Sequence, residues 1–135
     1  MEKKVAPKFS HAEAQALFNK AHAAGMAAGE AVRPVPMQVV QRLHPLDDSS
    51  PVIKVYEPVM DGVCGFAWVN IRPGNSSFAN WLRKQGKGHK GYYGGWEYWV
   101  GAFNQSLERK MAYADAFARI LEEAGIQAYP GSRMD

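Results

Sequence analysis

The sequence predicts an α+β domain: a mainly antiparallel sheet with an N-terminal helix, a short middle helix and a C-terminal helix. Three observations carry this. Apolar residues recur at helical spacing near both ends of the chain, strand-like alternation fills the middle, and Gly/Pro punctuation separates the segments. The predicted order after the leading helix is β-β-β-α-β-β-α-β. The 135 residues fit one domain, 1–135, in which residues 1–9 read as a loose basic tail.

Ser10-His11-Ala12-Glu13 has the form of a capping box and opens a helix over about 11–31. Its face, which includes Ala14, Leu17, Phe18, Ala21, Gly25 and Ala28, is rich in small residues. Such a face suits close packing on the domain's own sheet or on a symmetry mate. Pro34 and Pro36 end the helix. Strand-like runs follow at 37–44, 52–57 and 63–71, with 45–51 as a polar loop. In the third run Cys64, Phe66 and Trp68 alternate with Val63, Ala67, Val69 and Ile71, so both faces are apolar and a central strand is expected. A turn and N-cap at 73–77 lead into a short helix stopped by Gly86. The segment 88–99 reads as a hairpin turning on Gly94-Gly95 as a two-residue loop. Asn104 is the expected cap of a helix over 105–124, with Leu107, Met111, Ala114, Phe117 or Ala118, and Leu121 as its buried stripe. Residues 126–129 can add a last strand.

Composition excludes several classes. With 47% hydrophobic and 21% charged residues the chain is neither disordered nor fibrous. No apolar run reaches the length of a membrane span, and the basic N-terminus lacks the apolar core of a secretory signal. Cys64 is the single cysteine, so an internal disulfide is excluded and a reducing cytoplasm fits. Cys64 reads as a small buried hydrophobe. His11, His22, His44 and His89 are scattered without metal-ligand spacing, and no nucleophile, Walker or dinucleotide motif is present. The reading is of a protein with no catalytic set, no metal and no cofactor.

The net charge of +3 and pI near 9.0 are too small a bias to name a partner. The distribution says more. Between Arg72 and Trp96 there are five basic residues (Arg72, Arg83, Lys84, Lys87 and Lys90) and no acid, interleaved with Trp81, Tyr92, Tyr93 and Trp96. Cations neutralise phosphates and aromatic faces stack bases, so this segment is a candidate nucleotide or nucleic-acid surface. The alternative is that Trp81 and one tyrosine are core while the lysines solubilise a loop. Asn104-Gln105-Ser106 with Arg109 and Lys110 forms a second constellation, because a helix start suits an anion; simple capping also explains it. Near the end, Arg133 can grip a phosphate and Asp135 a ribose hydroxyl, or the two can pair with each other.

Tyr92-Tyr93-Gly94-Gly95, Phe103-Asn104-Gln105-Ser106, Tyr113-Ala114-Asp115-Ala116-Phe117-Ala118 and Gly131-Ser132-Arg133-Met134-Asp135 resemble a family of small bacteriophage proteins. That family counters Thoeris anti-phage defence by sequestering its signal, a cyclic ADP-ribose isomer, and some members also hold cyclic di- or trinucleotides. The resemblance covers roughly residues 63–135. It implies a non-cleaving binder in the host cytoplasm, assembled as a dimer or hexamer, with ligand pockets near the subunit interface. Carried onto this chain, it makes Asn104, Arg133 and the aromatic hairpin (Tyr92, Tyr93, Trp96, running on to Phe103) the pocket candidates, with Arg109, Lys110 and the basic loop at 83–90, Lys90 included, as weaker ones; Asp135 joins them from the reading of the chain end. The alternative function is a small RNA- or DNA-binding protein using 83–96.

Overall fold

A computed structural model describes residues 7–33, 40–42, 52–55 and 63–135. Helix α1 (His11–Ala31) starts at the capping box read from the sequence: Ser10 Oγ accepts from the Glu13 amide at 3.1 Å, and Glu13 Oε1 accepts from the Ser10 amide at 3.0 Å. Its buried positions are Ala14, Phe18, Ala21, Gly25 and Gly29. They face helix α3 (Leu107–Glu123), and the small residues bring the helices together. A Cβ on Gly25 would lie 2.6 Å from Tyr113 Cδ2, and Gly29 lies against the Phe103 ring. The buried Ala/Gly positions are therefore occupied within the chain, by α3 and the Phe103 ring. His22 Nδ1 and the Tyr113 hydroxyl, 2.6 Å apart, add a polar tie inside this contact. Burial, reinforced by Tyr98 nearby, pushes the Tyr113 hydroxyl above its ordinary value, so it stays protonated.

Of the expected tail, residues 1–6 lie outside the described part, but Phe9 is anchored. Its amide donates to Ser77 Oγ at 2.9 Å and its ring meets Phe78 edge-on. Strands β1 (Val40–Arg42) and β2 (Val52–Val55) pair antiparallel with Gln41 opposite Lys54. Residues 34–39, 43–51 and 56–62 lie outside the described residues, and with them His44, the loop at 45–51 and the rest of those two strand-like runs.

The main sheet contains β3 (Gly65–Arg72), β4 (His89–Lys90), β5 (Trp96–Trp99) and β6 (Gln127–Met134) in the order β4-β5-β3-β6, with every neighbouring pair antiparallel. Helix α2 (Ser77–Lys84) joins β3 to β4, and α3 joins β5 to β6. In each unit a third strand lies between the two that the helix connects, so two split β-α-β units interlock. The fold class and the order of elements are those the sequence predicts. The inner sheet face, with Ala67, Val69, Ile71 and Ala128, packs with Phe78, Leu82, Tyr113, Phe117 and Leu121 into one core.

Local differences have physical causes. Ser106 caps α3 in place of Asn104, accepting from the Arg109 amide, while Phe103 and Asn104 adopt φ of 67° and 50° in the approach. Lys110 and Tyr113 join the buried stripe and Met111 is 41% exposed, because α3 is covered by α1 as well as by the sheet. Cys64 sits one residue before β3 and is exposed. The last strand runs through Pro130 and Gly131 to Met134, since the unbroken β3 offers it eight residues of ladder.

Gly25→Ala forces Tyr113 aside and should cost about 1–3 kcal/mol, the usual range for overpacking, read from urea unfolding of the full chain. Glu13 provides a pH test. The Ser10 backbone amide, then its hydroxyl, hold the Glu13 carboxyl below its ordinary 4.5. Its contribution is complete above that value and is lost as pH falls through the lowered folded one. The stability gap between wild type and Glu13→Gln should close over that acid interval.

Candidate functional site

Because strand side chains alternate, burying Ala67, Val69 and Ile71 against the helices sends Phe66, Trp68, Asn70 and Arg72 to the opposite face. Register then assembles a surface around them. Trp99 lies opposite Trp68 and Glu97 opposite Asn70 on β5; Arg133, Gly131 and Tyr129 lie opposite Phe66, Trp68 and Asn70 on β6. Among the described residues the helices pack on the other face, and Phe66, Trp68 and Trp99 remain partly exposed.

The aromatic half of this face is ordered. Trp68 and Trp99 stack with centroids 4.9 Å apart and planes 22° from parallel. Phe66 and His89 meet Trp99 at 5.7 and 5.6 Å. The Arg133 guanidinium carbon lies 5.3 Å from the Phe66 ring and 5.7 Å from Trp99, within cation–π range. Gly131 allows the Trp68 indole to lie down on β6, since a Cβ there would come within 2.5 Å of Trp68 Nε1.

The polar half is tied to it by a chain of hydrogen bonds. Trp99 Nε1 donates to Glu97 Oε1 at 3.1 Å, and Asn70 Nδ2 donates to Glu97 Oε2 at 3.2 Å and to Gly94 O at 3.0 Å. Arg72 Nε donates to Asn70 Oδ1 at 3.1 Å and Arg72 Nη2 to Tyr93 O at 3.3 Å. His89 Nε2 approaches Glu97 Oε1 at 3.6 Å, an ion pair when the imidazole is protonated. A shallow depression of about 510 Å³ opens over this half, lined by Trp68, Asn70, Arg72, Tyr93, Glu97 and Tyr129 among others. Arg72 and Tyr129 also border a groove of about 450 Å³ at the sheet's end. The face offers stacking surfaces, a guanidinium and aligned polar groups. Among the described residues no three His, Cys, Asp or Glu side chains could share a metal ion, and no helix is long and apolar enough to cross a membrane.

No family model, curated protein or solved structure matches the chain.

The residues singled out in the sequence divide sharply. Arg133 stands on the face and Tyr93 lines its depression. Tyr92 and Tyr93 do not flank a Gly-Gly loop. They are the corners of a turn closed by the Gly94 amide on Gly91 O, 90% and 86% exposed, while Gly94 and Gly95 turn the chain back at φ of 103° and 74°. Trp96 is buried on the inner face, its Nε1 donating to Lys87 O at 2.9 Å and its ring beneath the Arg83 guanidinium at 4.4 Å, so it has no face to stack a base. Trp81 is also core. Phe103 packs on Gly29 and Tyr113 in the helical layer. Asn104 is exposed at the turn before α3, and Lys90 is exposed on the edge strand β4. Asp135 donates its amide to Cys64 O at 3.1 Å and is exposed. Arg109 keeps its Nε buried without a hydrogen-bond partner among the described residues. The start of α3 is also largely spent: the Leu107 amide donates to Val63 O, that of Arg109 to Ser106 Oγ and that of Lys110 to Ser106 O.

The acid-free segment therefore does not form one basic aromatic surface. Arg83 is held by Asn80 and Gly74 O, and Lys87 lies over Phe18. Phe66, Trp68, Asn70, Glu97, Trp99 and Tyr129 were not singled out as site residues. The signal for them was the alternation in 65–72 and 96–99, which puts large aromatics on both faces of strands whose helices can cover only one.

Gly131→Val should lift Trp68 off the strand and weaken the near-ultraviolet circular dichroism of the stacked indoles while the far-ultraviolet spectrum is kept; an unchanged near-ultraviolet signal would count against this geometry.

Proposed function

We propose that this protein binds a nucleobase-bearing ligand on the outer face of its sheet and holds it without cleaving it. The observation that carries this reading is the Trp68–Trp99 stack with Phe66 and Arg133 beside it, on a face that no described helix covers. Stacking a base on such rings contributes about 1–3 kcal/mol each. Arg133 supplies a charge-assisted pair for a phosphate. The ligand class implied by the resemblance, a cyclic ADP-ribose isomer or a related cyclic nucleotide, has the matching parts: adenine for the aromatics, pyrophosphate for the guanidinium, ribose hydroxyls for the Tyr93 and Glu97 side of the depression. On this reading the protein is a phage anti-defence sponge acting in the host cytoplasm.

The face, which no described helix covers, engages such a ligand from one side. Competing with a receptor needs nanomolar binding, about −12 kcal/mol, and two stacks with one phosphate pair fall short once the cost of association is counted. A second copy closing over the face would supply the missing wall, in keeping with a dimer or hexamer. The openness itself favours a second reading, single-stranded RNA or DNA laid across β6, β3 and β5 with successive bases on the rings. Its footing is this face and the Tyr92–Tyr93 turn rather than the whole of 83–96.

Calorimetry with cyclic ADP-ribose isomers and with short single-stranded oligonucleotides, each at two salt concentrations, separates the readings. The sponge should prefer the cyclic ligand with weak salt dependence and return it intact after heat denaturation. Nucleic-acid binding should fall steeply with salt. In either case Trp99→Ala should weaken binding by roughly tenfold or more, from the loss of one stack; a folded Trp99→Ala protein with unchanged affinity refutes the platform, and a degraded ligand refutes the sponge.

A further inference from the structure

We infer that Lys110 and Arg133 form a phosphoryl-binding subsite at the Phe66 end of the sheet face. Lysine is almost never buried without a partner, yet Lys110 is only 6% exposed in the first turn of α3. Its ammonium is in no ion pair among the described residues, where the pair formed within 4.0 Å is His89–Glu97 at the other end of Trp99, and it is not among the buried side-chain atoms left without a partner. Lys110 Nζ lies 5.5 Å from the centre of the Phe66 ring. Arg133 reaches the same ring at 5.3 Å and extends to Trp99 at 5.7 Å. Two cations, one on a helix and one on a strand, thus each lie within cation–π range of the same ring, with neither in an ion pair with a carboxylate among the described residues. Asp135 and Glu108 are the nearest acids in sequence, and neither forms an ion pair with them within 4.0 Å.

A ligand carrying two negative charges beside Phe66 would be attracted by both cations at once. Phosphate chemistry fits better than a single carboxylate: the guanidinium can engage two phosphoryl oxygens side by side, and the ammonium can take a third as a point charge. The subsite does not depend on the α3 dipole, since three first-turn amides are already engaged. Its position also gives the bound ligand a direction. Resting on the base-stacking reading of the face, a nucleotide would set its phosphate beside Phe66 and its base over Trp99 and Trp68, with the sugar toward the Asn70 and Glu97 side.

The test uses inorganic pyrophosphate and adenosine as separate probes of the full chain at low salt, by calorimetry and by titration of the tryptophan indole N–H resonances. Wild type should bind pyrophosphate. Lys110→Met, which keeps an unbranched apolar stem and removes the charge, and Arg133→Gln should each weaken it by roughly tenfold or more; Lys110→Arg should retain most of the affinity, and adenosine binding should be unchanged in Lys110→Met. Lys84→Met, at an exposed position on α2, should leave pyrophosphate binding as it is. Absence of pyrophosphate binding, equal affinity in Lys110→Met, or an equal loss in Lys84→Met overturns the subsite. Should Lys110→Met fail to fold, Arg133→Gln on the exposed strand decides: full affinity there overturns the subsite as well. Pyrophosphate binding that depends on Lys110 and Arg133 without any adenosine binding upholds the subsite and refutes the base-stacking reading instead.

Discussion

The pairing of β3 with β6 sets both sides of the molecule. Eight consecutive residues of each strand are in register, from Gly65 opposite Met134 to Arg72 opposite Gln127. Since strand side chains alternate, this one register sends Ala67, Val69 and Ile71 to the helices and Phe66, Trp68, Asn70 and Arg72 to the other side. A slip of one residue would exchange the two sets and expose the core. The same register brings Gly131 under the Trp68 indole and Arg133 against Phe66. The guanidinium beside the stack comes from β6 and is placed by this pairing.

The polar half of the face serves as a brace. Glu97 receives hydrogen bonds from Trp99 and Asn70, Asn70 receives one from Arg72, and Arg72 reaches the Tyr93 carbonyl. A chain of mutually satisfied groups fixes side-chain angles that single contacts would leave free. It links the indole stack to the Tyr92–Tyr93 turn, so a ligand touching both would meet an arrangement set before it binds. Gly95 belongs to this brace: its backbone comes so close to the Asn70 amide that no side chain fits between them.

The sequence was readable where one local rule decided the outcome. The capping box fixed the start of α1, the Gly/Pro punctuation separated the elements, and the order of helices and strands followed. It was less readable where two rules competed. Asn104 and Ser106 are both capping residues, and the long-range bridge between Cys64 and Ser106, with the Leu107 amide on Val63 O, accompanies a helix start at Ser106. Gly94-Gly95 can form a two-residue loop, yet both glycines are used to bring the chain back beside Asn70, and the turn moves to the tyrosines. The site was hardest to read. Trp96 and Trp99 are equally aromatic in sequence; their parity relative to Val69 and Ile71, which only strand pairing defines, makes one core and the other surface.

Pro130 has a consequence for how copies of this chain can meet. It lies opposite Val69 in the middle of β6, one of the sheet's two outer strands. A proline has no amide hydrogen to offer, so another strand approaching that edge would find its hydrogen-bonding row broken at the centre, a common safeguard against edge-to-edge growth. Strand β4, at the other edge, carries no proline, so this break protects the β6 side alone.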